Sequence, residues 1–173
     1  MGLGYAPQMA GGPAAGWTDF LVAAAGAAGA LVGLVFVALS INLARILELP
    51  GVSRRAAETI IVLAGALLCA LVALLPEQTP ARLGLALLAV GIPTWGAPTA
   101  TQVMMLRARQ YQRVGLAVAR LALHQAATLP LVLAGLSLEA SGDGAMTWLA
   151  VGILMSLVVA LVNAWVLLVE IMR

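Results

Sequence analysis

The residues able to do chemistry are few, and most of them are polar groups set inside long apolar runs. Arg120 and His124 are one helical turn apart in the run 114–138, on a face shared with Arg113, Ala117, Thr128 and Gly135. An imidazole in that place can relay protons or respond to pH near neutrality; it can equally be a neutral residue hydrogen-bonded inside a bundle. In the last run, Gly152, Ser156, Ala160, Asn163, Leu167 and Glu170 follow the same helical spacing, which sets Asn163 at a depth similar to that of His124. A hydrogen bond between the two is one use for them, and structural glue is the plainer one. Glu58 follows Arg54 and Arg55 at the opening of the second run. A carboxylate there is favoured by the helix dipole, and it can also pair with Arg120 or Arg45 or coordinate an ion. Asn42 closes the first run and Gln102 sits near the end of the third. Ionisable groups deep in a bilayer are costly, so these side chains are expected to face protein or water.

Two further patterns concern packing. Gly26, Gly29, Gly33, Phe36 and Ser40 recur on one helix face and contain the small-residue motif Gly29-x-x-x-Gly33. Such a stripe lets helices approach closely in lipid, either within the bundle or at a subunit interface, and Gly152 and Ser156 offer the same on the last helix. The segment 91–102, GIPTWGAPTATQ, places Pro93 and Pro98 inside an apolar run. Each removes a helical hydrogen bond and is expected to kink the helix, while Thr94, Thr99, Thr101 and Gln102 can satisfy the freed carbonyls. No HExxH, G-x-S-x-G, P-loop or paired acid cluster is present, so neither enzymatic catalysis nor a cofactor is expected. The single cysteine, Cys69, lies in an apolar run and offers no metal cluster.

The elements that must carry these groups are membrane helices. The chain has 173 residues, of which 63% are hydrophobic and 9% charged, with a mean hydropathy of +1.07. A soluble domain carries about 25% charge, and a body this small cannot hide so much apolar surface from water. Disorder requires the opposite composition. Continuous rather than alternating runs, with aromatics at 5%, argue against a membrane barrel. The expected architecture is all-α, a bundle of five transmembrane helices over about 20–44, 56–75, 83–106, 114–138 and 146–172. A flexible extracytoplasmic tail, 1–19, precedes this single domain, 20–173. The run from Phe20 is too long for a secretory signal, and no basic residue precedes it, so the first span is expected to be retained.

Orientation follows from arginine, since the chain has no lysine. Arg45, Arg54, Arg55, Arg107, Arg109, Arg113, Arg120 and Arg173 fall on one side of five spans, and Arg82 alone on the other, with Asp19, Glu77, Glu139 and Asp143. The arginine-rich side is expected to be cytoplasmic, with the N-terminus outside. Trp17 and Trp148 then meet at the outer interface and Tyr111 at the inner one. A basic balance of this origin points to a membrane surface and not to nucleic acid.

The segment WTDFLVAAAGAAGALVGLVFVALSINLARIL, continuing into LPGVSRRAAET, resembles the N-terminal part of a class of uncharacterised small bacterial multi-pass membrane proteins. The resemblance covers about the first third of the chain and implies no activity. Position adds more. Asn42, Glu58, Gln102, Arg120, His124, Asn163 and Glu170 all map to the cytoplasmic half, and the outer halves are nearly pure Ala, Leu, Val and Gly. This asymmetry predicts a polar cytoplasmic vestibule below a dry outer half. It fits a homo-oligomeric channel or transporter for an ion or proton in the inner membrane. The alternative is a non-transporting regulatory or assembly subunit that packs against another membrane protein. A reporter that works only in the cytoplasm is expected to be active at the C-terminus and silent at the N-terminus. The reverse pattern would refute the arginine-based orientation.

Overall fold

The computed structural model describes residues 12–14, 16–48, 51–108, 114–140 and 144–172, with side chains described up to residue 166. All regular structure among them is helical: α1 Thr18–Ile41, α2 Leu43–Glu48, α3 Val52–Ala73, α4 Pro80–Arg107, α5 Val114–Ala140 and α6 Ala145–Met172. All but the short α2 are long and apolar enough to cross a membrane, which makes the chain a multi-pass membrane protein. The span boundaries differ from the sequence expectation mainly at the first connection. Residues 45–55 read as a loop, yet Leu43–Glu48 forms a helix and α3 begins at Val52. Gly51 takes φ +85°, a left-handed conformation that glycine adopts without strain, and turns the chain into α3. Arg54 and Arg55 therefore lie in the first turn of α3, and Glu58 is carried about 9 Å along the helix. At the start of α4 the Thr79 hydroxyl accepts from Arg82 N at 3.3 Å, with Pro80 just inside, where its missing N–H costs nothing.

α3 is the hub: it touches every other helix, and 56% of its most apolar stretch is buried, against 28% for α1. The most extensive contacts run α4 to α5 and α5 to α6, with α1 laid on α3. The main apolar core occupies one end of the bundle. It joins Leu21 and Ala24 of α1, Ala66, Cys69 and Ala70 of α3, Leu83 and Leu87 of α4, Leu131 and Leu138 of α5, and Leu149 and Ile153 of α6. The buried polar side chains, Glu58, Thr59, Thr94, Gln102, His124, Thr128 and Ser156, lie at mid-depth or toward the opposite end.

Glycine does the close packing, but not at the motif the sequence singles out. A Cβ at Gly26, Gly29 or Gly33 would meet nothing within 4 Å, because α1 packs through Leu21, Ala24, Ala28 and Val35 and turns its glycine stripe away from the chain. Gly84 and Gly135 instead press α4 against α5, each close to the other's carbonyl oxygen. A Cβ on Gly152 would lie 2.6 Å from Leu131, and one on Gly65 would lie 2.4 Å from Thr94. Gly135→Ala and Gly152→Ala are expected to cost about 1–3 kcal/mol each through overpacking. Gly29→Ala should leave the stability of the monomer unchanged. Unfolding in detergent measures both.

Candidate functional site

At the end of the bundle away from the apolar core, three helices bring polar groups to one level. Glu58 lies six residues into α3, Arg120 six residues into α5, and Gln102 five residues before the end of α4. Alternating helix direction puts all three about 8–9 Å inside the same end. Glu58 is 7% exposed. Its Oε2 accepts from Gln102 Nε2 at 3.2 Å and from Arg120 Nη2 at 3.2 Å, while its Oε1 lies 3.8 Å from Arg54 Nε. The carboxylate thus ties α3 to α4 and α5, with guanidinium groups on two helices. Glu58, Gln102, Arg120, His124 and Asn163 share a cavity of about 20 Å³ with three apolar side chains.

His124 also faces α4. Its Nε2 is 3.3 Å from the Trp95 carbonyl oxygen. A carbonyl only accepts, so the proton of the neutral ring sits on Nε2. Beside it, Trp95 Nε1 donates to Gln125 Oε1, and Gln125 Nε2 donates to Thr99 Oγ1 at 3.1 Å. This forms a polar seam between α4 and α5.

The seam has a backbone cause. α4 runs through Pro93 and Pro98 as one helix, and α5 runs through Pro130, which the sequence reading passed over. An interior proline removes one helical hydrogen bond and crowds the carbonyls of the preceding turn. In all three cases the carbonyl three residues before the proline accepts from a side chain. Thr94 Oγ1 donates to Val90 O at 2.8 Å, His124 Nε2 meets Trp95 O, and Ser156 Oγ of α6 donates to Ala127 O at 3.2 Å. The carbonyl that each proline deprives of its N–H partner lies four residues before it, so these bonds fall on the next carbonyl of the crowded turn.

The remaining residues singled out from sequence lie elsewhere. Asn42 caps the end of α1 and donates to Ala38 O at 2.9 Å, away from the cavity. Ser40 is exposed and donates to Phe36 O. The stripe Gly26, Gly29 and Gly33 faces outward, whereas Gly152 and Ser156 sit between α5 and α6. Arg109, Tyr111, Arg113, Asp143, Arg173 and the side chain of Glu170 lie outside the described residues. Arg54 also belongs to the cluster, and its place four residues before Glu58 was the available signal. Trp95 and Gln125 were missed because only their cross-helix pairing gives them a role. A larger cavity, about 300 Å³, opens at the other end beside Gly12 and Thr18, and Glu77 is the only titratable side chain among the described residues of its wall.

No protein-family model, curated protein or solved structure matches this chain. The functional reading therefore rests on the geometry.

Removing Arg120 leaves a buried carboxylate short of its cross-helix cation. Breaking a fully buried pair costs about 3–5 kcal/mol. The Arg120 side chain is 25% exposed, so Arg120→Ala is expected to cost about 2 kcal/mol after allowance for screening. Adding Glu58→Gln should restore much of that loss. A double-mutant cycle of unfolding free energies checks the coupling, and strict additivity would show that the pair is inert.

Proposed function

We propose that this chain is a small multi-pass protein of the inner (cytoplasmic) membrane that passes an ion or a proton as a homo-oligomer. Its C-terminus lies in the cytoplasm, its N-terminus lies outside, and α4 bends at Pro93 and Pro98. The carrying observation is Glu58, a carboxylate nine-tenths buried within a membrane helix, bound by Arg120 and Gln102 and sharing a cavity with His124 and Asn163. Apolar residues of similar size stabilise a bundle as well as a buried ion pair does. An ionisable group at this depth reads first as part of a pathway. The Glu58–Arg120 pair then closes the cytoplasmic vestibule, and the apolar core beyond it acts as a hydrophobic barrier that opens by wetting.

One chain encloses only a small cavity around these groups, and a continuous path is more easily built between copies. The outward glycines of α1 supply a face on which helices can approach closely. The same face favours the second reading, a regulatory or assembly subunit that docks another membrane protein.

Liposomes holding the purified protein are expected to show ion or proton flux, lost in Glu58→Gln and His124→Ala. The detergent-solubilised protein is expected to be larger than a monomer. Silence toward protons and common ions, together with a co-purifying membrane protein, would replace this reading with the second.

A further inference from the structure

Two acceptors in the cluster have no hydrogen-bond partner among the described residues. They are Glu58 Oε1 and Gln102 Oε1, on side chains of residues 7% and 5% exposed. The amide orientation of Gln102 is dictated by chemistry, because its Nε2 donates to the carboxylate and the reverse orientation would set oxygen against oxygen. Arg54 Nε, 3.8 Å from Glu58 Oε1, is likewise without a hydrogen-bond partner. Acceptors left unpaired at low dielectric are costly. Both residues border the cavity of about 20 Å³. One water needs roughly 10–15 Å³ of such space and makes about three hydrogen bonds.

We propose that this cavity binds a single water molecule that donates to Glu58 Oε1 and Gln102 Oε1, and that the species passed at this site is the proton. The second half of the proposal rests on the transport reading above. The groups around the carboxylate argue against other species. Arg54 on α3 and Arg120 on α5 set two positive charges against Glu58, while His124 on α5, Gln102 on α4 and Asn163 on α6 complete the polar wall. A metal cation would meet two guanidinium groups with no room for a hydration shell, and no group of three or more His, Cys, Asp or Glu exists among the described residues. An anion would meet the Glu58 carboxylate and the unpaired Gln102 Oε1. A proton needs no space beyond the water, which takes up one proton and releases another as O–H bonds exchange.

Val159, buried on the same wall, gives the test of the water. Val159→Ile fills the space with a methylene. If water occupies it, the melting temperature of the full-length protein in detergent falls by about 4 °C, and the fall shrinks by at least half in the Gln102→Leu background, where one acceptor is gone. A rise in melting temperature, or an equal fall in both backgrounds, overturns the water. The wild-type chain in liposomes tests the species. Proton flux that is indifferent to replacement of sodium, potassium or chloride supports the proposal. Flux of any of those three ions overturns the proton assignment and leaves the transport reading intact. Absence of all flux overturns both, while the melting series still decides the water.

Discussion

A carboxylate inside a bundle of apolar helices is stable only if other groups replace the water it has lost, and that requirement organises one end of this molecule. Glu58 sits on the hub helix α3, and the groups that replace its hydration come from α3, α4 and α5. Each donor must arrive at the same depth, so the lengths and directions of three helices are coupled through one side chain. The cost of leaving such a charge unpaired far exceeds the strength of any single contact in the apolar half. Among the described residues the opposite end holds no buried charged side chain, and it is filled by apolar groups such as Ala70, Leu83, Ile153 and Cys69.

Proline imposes a second constraint, this time on the backbone. Three interior prolines would each leave a perturbed turn in a medium that offers no water. Thr94, His124 and Ser156 donate to the carbonyls of those turns. His124 therefore has a structural task on the Trp95 carbonyl as well as its place on the cavity wall. Its Nε2 is committed to α4, which fixes the ring beside Glu58. The proline turn of α4 and the ionic cluster are thus parts of one arrangement.

Glycine shows where reading by pattern misleads. Gly29-x-x-x-Gly33 matches a known packing motif, yet α1 turns that face away from its own chain. Gly65, Gly84 and Gly135 form no conspicuous motif yet carry close contacts, as does Gly152, which the sequence marks for packing together with Ser156. A motif within one helix records a surface able to pack closely. Which surface meets a partner depends on the rotation of each helix, and that rotation is set by the other helices.

The five spans, their approximate limits and the clustering of polar groups toward one end were legible in the sequence, because hydropathy and depth along a helix are local quantities. Counting residues at 1.5 Å each puts Glu58, Gln102 and Arg120 at one level, with His124 and Asn163 about one turn deeper. Counting could not show that Asn42, near that same level, turns back onto its own helix at Ala38. Nor could it show that Trp95 meets Gln125. Depth is determined by position along one chain segment. Azimuth, the direction in which a side chain points around its helix, has meaning only relative to neighbours, and only the packed bundle decided it.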